Sequence, residues 1–316
     1  MDRAPGGFTF FSLWLIWSAM TTIARRIYTK PALNPVEILD HLSSRGLSIP
    51  DPAAAIGVLE TIGYFRLKIY CRALQSNKLF NGGASFDDVH NLYIFDRKLR
   101  LLCLDAVENL EVSIRASINN RIAVLHGSHF YLNYDHFENR KYFDDVIDNA
   151  RKAKHETIDH YNSNYYIPEL PPVWVLNEAL SIGKLSRFFA NLDVSLRKRM
   201  EIDFSPDPNN RYDEKILKSW FKSIAWLRNK CAHHNCVWNI SMHVDAPSTS
   251  RKLPELDGTN RTTFYGRSVI IIALLRKVNP GDHWRDRLKE LIRIHPFINP
   301  SDMGFPAGWD DLPFWN

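Results

Sequence analysis

Cysteine is scarce in this chain: four among 316 residues, Cys71, Cys103, Cys231 and Cys236, with no dense spacing. That argues against a secreted disulfide scaffold and makes a reducing, cytoplasmic setting the expectation. Strand-like alternation of apolar and polar residues, internal repeats and low-complexity tracts are also lacking, which argues against a sheet-built or repeat-built fold. Nor does one sign of charge dominate. Lys plus Arg is 40 against 35 Asp plus Glu, a net +5, which permits an anionic partner and excludes a histone-like or ribosomal-type basic protein. The chain is 45% hydrophobic and 12% aromatic, enough for one large domain or two modest ones with real cores, so disorder is excluded as the dominant state.

The segment from Ala4 to Ala24 carries no charge and is near the length of a bilayer span. A signal peptide fits poorly, because Asp2 offsets Arg3 and no A-x-A site follows. A membrane anchor would leave Arg25, Arg26 and Lys30 on the cytoplasmic side. We prefer a start of translation at Met20, with the apolar stretch as upstream sequence, and expect no membrane association.

Beyond this segment the period is helical. Asn34-Pro35-Val36-Glu37 opens a helix that Gly46 can stop, and Asp51-Pro52 opens a second that ends near Gly63. Ser85 with Asp88 caps a long helix whose apolar residues, from Leu92 to Ile122, keep helical spacing up to Gly127. Its other face, with Asp96, Arg97, Arg100, Asp105, Glu108, Glu111 and Arg115, reads as solvated surface. A helix is predicted over Tyr142–Tyr161 and another from Val173; residues 241–262 read as a polar loop, Val269–Leu275 as a buried helix and Trp284–Ile294 as the last helix before a Pro- and Gly-rich tail.

Residues 211–239 hold the chemistry. Leu217, Trp220, Phe221, Ile224, Leu227 and Cys231 step by three and four, and between Arg211 and Lys230 six basic residues face two acidic ones. Lys215, Lys218, Lys222 and Lys230 are thus candidate RNA contacts. At the end stand Arg228, Asn229, His233, His234 and Asn239: a permanent cation, amides and imidazoles, a set suited to breaking a phosphodiester without metal. One imidazole would take the proton of a ribose 2′-OH, Arg228 would hold the phosphate, and Asn229 would orient the phosphate or the histidine, so the target would be RNA.

Asn229 and His233 share a helix face, whereas Arg228 and His233 stand roughly 140° apart around an ideal helix. Either the Arg228 side chain swings around, or a second copy meets the first across a two-fold axis, which predicts a homodimer with a composite site. Blander readings stand beside this one. The histidines can cap the helix end, and Arg228 can pair with a buried carboxylate. Cys231-x-His233-His234-x-Cys236 invites zinc but lacks paired finger spacing, so no metal and no cofactor are expected.

RNKCAHHNCVWN, residues 228–239, resembles the R-N-x-x-A-H-H-x-x-x-W-N signature of the Abi-like bacteriophage abortive-infection family, within the HEPN superfamily and its R-x4-6-H ribonuclease motif. Segments 29–49, 62–70, 92–118, 171–189 and 303–309 resemble the same family in the same order, a coverage of Thr29 to Trp309. The resemblance implies an all-α fold: a HEPN-type helical bundle over 81–316 with long connecting loops, an additional N-terminal helical region over 29–80, and residues 1–28 as a separate apolar segment. It implies a cytoplasmic, RNA-cleaving toxin of phage defence, with Arg228 and His233 as the catalytic pair, Asn229 beside them, and His234, Trp238 and Asn239 completing the signature. Cys236 stands where a basic residue is common, so one RNA-backbone contact is expected to be absent, and Lys230 replaces a usual apolar residue. For Asp96, Arg97 and Arg100 the resemblance implies structural ion pairing, with Glu108, Glu111 and Arg115 similar; a partner role in catalysis for Glu111 is a weaker reading.

Three functions compete: a HEPN endoribonuclease, restrained by an antitoxin RNA or protein if it is half of a toxin pair; a non-catalytic RNA-binding or phage-sensing module on the basic helix; and a DNA-binding regulator built on the helices before Leu74. The last has no recognition-helix signature beyond its spacing.

Overall fold

The computed structural model describes residues 28–316; the apolar Ala4–Ala24 stretch and the expected start at Met20 lie outside them. Helix α1 spans Pro35–Ser43 and α2 spans Pro52–Ile62. At α1 Glu37 N–H donates to the Asn34 side chain and Asn34 N–H to the Glu37 carboxylate, satisfying two donors that a helix start leaves open. Gly63, at φ 80°, lets the chain turn directly into α3, Tyr64–Ala73. A two-residue hairpin follows, β1 Gln75–Ser76 against β2 Leu79–Phe80, turning through Asn77 and Lys78 at φ 51° and 70°. Positive φ at both turn residues is what the twist of so tight a hairpin requires. The sequence did not announce it, because the strands are too short to alternate.

The organising element is α4, Phe86–Ile118, 33 residues and thus about 50 Å long. It runs on through a π-helical turn, Asn119–Ala123, and a last turn, Val124–His126, to Gly127. Leu92, Phe95, Leu99, Cys103, Val107, Leu110, Ile114, Ile118 and Ile122 are all buried, each large side chain contributing about 1.5–3 kcal/mol. The remaining helices are α5 Arg140–Lys152, α6 Glu156–Asn164, α7 Val173–Ala179, α8 Ile182–Asn191, α9 Val194–Phe204, α10 Glu214–Ala232, α11 Phe264–Val278 and α12 Trp284–Arg293. The protein is all-α apart from the small hairpin. Helices α3, α10, α11 and α12 pack on α4, with α8 and α9 against α10, and one continuous core runs from Leu39 to Trp315. Every residue of α11 from Phe264 to Leu275 is buried, Arg267 and Ser268 included, so the helix is enclosed on all sides.

Two expectations fail. The helix predicted over Tyr142–Tyr161 is broken after Lys152: Ala153 is extended, and His155 caps α6 by accepting from Thr157 N–H. Periodicity alone misses such a break, because α5 and α6 each keep helical spacing. The polar face of α4 is not uniformly solvated. Asp96 and Arg100 are buried, and Glu111 and Arg115 form a half-buried pair at 2.6 Å, with Arg115 also donating to the carbonyls of Asn177 and Leu180 where α7 meets α8. Among the described residues no helix is long and apolar enough to cross a membrane.

Candidate active site

Helix α10 starts where Asp213 accepts from Lys215 and Ile216 N–H. Its first turn is locked into the core. Glu214, buried, accepts from Arg197 at 2.7 Å, and its N–H donates to Glu201; Arg197 also reaches Glu138 at 2.5 Å and the Ala190 carbonyl. Leu217, Trp220, Phe221, Ile224, Leu227 and Cys231 are buried, as their spacing predicts.

The other end is built differently. His233 is the C-cap residue, and His234 follows in the left-handed region at φ 56°. His234 N–H donates to the Cys231 carbonyl and Asn235 N–H to the Lys230 carbonyl, the pair of bonds that ends a helix in a Schellman turn. Glycine is the usual residue at the position of His234. Arg66 of α3 donates to the His234 carbonyl at 2.6 Å, which fixes the turn from outside.

Beyond the turn the chain dives onto α4. Asp96 Oδ1 accepts from the N–H groups of Val237 and Trp238 at 3.0 and 2.7 Å, while Oδ2 accepts from the Tyr70 hydroxyl at 2.6 Å and pairs with Arg100. Arg100 also donates to the Tyr70 hydroxyl at 3.3 Å. Burial by itself would lower the pKa of the Arg100 guanidinium, but Asp96 and Tyr70 outweigh it and hold the pKa above the ordinary arginine value. The carboxylate is fully enclosed and has a partner for each oxygen, the condition under which a buried charge is tolerated. Asp96 is thus the internal anchor of the 236–239 segment. Tyr70 went unnoticed in the sequence: it lies in an aromatic, basic run and contacts α4 only in three dimensions.

The signature residues therefore divide. Trp238 is buried, and Cys236 is buried with its thiol donating to the Trp238 carbonyl at 2.9 Å. An RNA-backbone contact is expected to be absent at position 236, and that side chain is turned into the polar cluster, where burial pushes its thiol pKa up. Cys231 is likewise buried, beside Cys103 of α4, so the two cysteines of the zinc-like spacing are turned into separate parts of the core. Asn229, His233, His234 and Asn239 are exposed and Arg228 is half-exposed. Among the described residues Arg228 has no carboxylate partner, only a long contact to the Asn229 side chain at 3.5 Å, and no hydrogen bond involves the His233 ring. Arg228 is therefore not the partner of a buried acid, and nothing bonds it to His233.

The lysines of α10 also differ from one another. Lys222 is 2.7 Å from Asp245 and Lys218 is 3.9 Å from Glu138. Lys230 lies 5.0 Å from the Trp226 ring centre, and Lys215 is exposed. Arg267 of α11, buried and stacked on the same Trp226 at 5.0 Å, donates to the carbonyls of Met242 and Val244, and burial lowers its pKa to about 10. It orders the loop predicted over 241–262. A cavity of about 670 Å³ lies between α12 and the C-terminal tail and is lined by neither Arg228 nor His233.

No curated protein and no solved structure matches the chain. A family model described as Abi-like protein matches residues 57–239, which contain Tyr70, Asp96 and the whole 228–239 signature. The match is narrower at both ends than the resemblance over Thr29 to Trp309. It covers more than half of the 316 residues, and the chain belongs to the Abi-like protein family, a membership that supports an abortive-infection role in phage defence.

Proposed function

We propose that the protein is a HEPN-type endoribonuclease toxin whose phage-defence role is carried out by cutting RNA at the end of α10. The observation that carries the reading is the contrast within the signature: Asp96 pins the 236–239 segment from inside, while Arg228, Asn229 and the His233 ring stay at the surface without a carboxylate or backbone partner among the described residues. Polar groups kept in place and left unpartnered are groups available to a substrate.

In this reaction the ribose 2′-oxygen attacks the adjacent phosphorus. His233 accepts the 2′-OH proton, a P–O bond forms to the 2′-oxygen, and the P–O5′ bond breaks to leave a 2′,3′-cyclic phosphate. The 5′-oxygen takes up a proton from water and departs as a 5′-hydroxyl. Arg228 binds the phosphate and offsets the charge that gathers on its oxygens, and Asn229 orients it. The nucleophile comes from the substrate and the proton acceptor from the chain, so the step draws on no metal or cofactor. Because no bond joins Arg228 to His233 within one subunit and the two stand five residues apart, roughly 140° on an ideal helix, the complete site forms between two copies related by a two-fold axis. The cytoplasm is the compartment of this activity, and an antitoxin RNA or protein is the partner that would restrain it.

Inducible expression of the wild type and of His233→Ala in a bacterial host tests the reading. Growth arrest with new 5′-hydroxyl RNA ends in the wild type alone is expected. Equal toxicity of the two would remove His233 from the mechanism.

A further inference from the structure

Two groups of cations flank the end of α10, and carboxylates claim only one of them. On the α8 side, Arg187, Lys218 and Lys222 stand 3.7, 3.9 and 2.7 Å from Asp145, Glu138 and Asp245. On the α3 side stand Lys30, Arg45, Arg66, Lys68, Arg72 and Lys78, and among the described residues none of them forms an ion pair.

Helix α3 explains their arrangement. Leu67, Tyr70 and Cys71 face the core, which leaves Phe65, Lys68, Ile69 and Arg72, at i, i+3, i+4 and i+7, as an outward stripe. Phe65 is 89% exposed, with the 40% exposed Ile69 one turn on, so its ring face is open beside the cations. Two grooves run along the stripe. One, of about 340 Å³, takes in Phe65, Arg66, Lys68 and Arg72 and reaches His234 and Asn235 at the end of α10. The other, of about 390 Å³, takes in Lys30, Arg45, Tyr64 and Lys78 and shares Lys68 and Arg72 with the first. No carboxylate lines either groove. The positive field there acts on its neighbours: burial, then the charges of Arg45 and Lys30, hold the His41 imidazole below its ordinary pKa.

We propose that this trough on α3 binds the phosphate backbone of single-stranded RNA and leads the strand to the end of α10, with a base stacked on Phe65. The assignment of RNA rests on the ribonuclease reading of that site. A row of unpaired cations follows a backbone, and an exposed aromatic ring beside it takes the face of an unstacked base, which a single strand offers and a duplex does not. The RNA surface is then α3, in place of the lysines on α10, of which Lys218 and Lys222 already have acidic neighbours.

The test uses the full chain carrying His233→Ala, so that RNA stays intact, and follows the anisotropy of a short, unstructured, labelled RNA across a salt titration. Arg66 is left in place because it holds the His234 carbonyl. Combined Arg45→Gln, Lys68→Gln and Arg72→Gln is expected to weaken binding about tenfold or more and to flatten the salt slope by about 2, the share of three phosphate contacts on a single strand. Phe65→Ala, at a site too exposed to disturb folding, is expected to weaken binding about fivefold or more. Lys218→Gln with Lys222→Gln is expected to change it little. Loss of binding in the α10 pair but not in the α3 triple variant would overturn the trough. So would duplex DNA or phosphatidylserine vesicles bound as tightly as the RNA. The two readings fail separately: a wild type that cuts RNA with a KM unchanged by the triple variant removes the trough and leaves the ribonuclease, whereas trough-dependent binding without cleavage by the wild type does the reverse.

Discussion

The two ends of α10 are made of similar residue types and put to opposite uses. At the N-terminal end the buried charges are spoken for: Glu214 by Arg197, Arg197 by Glu138 and backbone carbonyls, and the Glu214 N–H by Glu201. At the C-terminal end Arg228, Asn229 and His233 remain at the surface, and the satisfying of buried groups is delegated to Asp96, Tyr70 and Arg100 one layer below. The same helix is thus a structural member at one end and a presenting arm at the other. The presenting end stays in place because its backbone, not its side chains, is held.

Substitutions at the two ends should separate along that line. The largest effect is expected from subunit mixing. Arg228→Ala and His233→Ala, each inactive alone, should recover about a quarter of wild-type cleavage when co-expressed, since one intact composite site forms in each mixed dimer. No recovery would place both groups within one subunit. Next, Asp96→Ala beneath the C-terminal end strands the buried Arg100 and should lower stability by about 3–5 kcal/mol in denaturant melts, Glu214→Ala at the N-terminal end, which leaves Arg197 its pair with Glu138, by about 1.5–3 kcal/mol, and His233→Ala by less than about 0.5 kcal/mol. Tyr70→Phe removes one hydrogen bond to Asp96 and should lower stability by about 1 kcal/mol. The smallest effect concerns the neighbouring histidines. His234→Gly relieves a left-handed backbone and should leave stability unchanged or raise it by up to about 1 kcal/mol, with cleavage retained. A His234→Gly protein that folds but no longer cuts would give the second imidazole a chemical role.

Much of this was legible in the sequence because local rules govern it. The Asn34–Glu37 and Ser85–Asp88 capping boxes, the buried stripe of α10 and the length of α4 all follow from residues within a turn or two of one another. What could not be read depends on distant partners. Asp96 looks like one more charge on a mixed-charge face until Val237 and Trp238, more than 140 positions away, turn out to bond it. Tyr70 and Arg66 matter only because α3 lies beside the end of α10. The helix stop at His234 was hidden because histidine occupies a position where glycine would have announced it. At the candidate site the residue types could be named from the 228–239 segment, but which of them face solvent and which hold the loop needed the fold.

The most direct test of the account is the end chemistry of RNA treated with purified wild type and with His233→Ala of equal melting temperature. The account predicts 5′-hydroxyl and 2′,3′-cyclic phosphate ends from the wild type and none from the variant. Equal cleavage by both proteins, or fragments carrying 5′-phosphates, would contradict it.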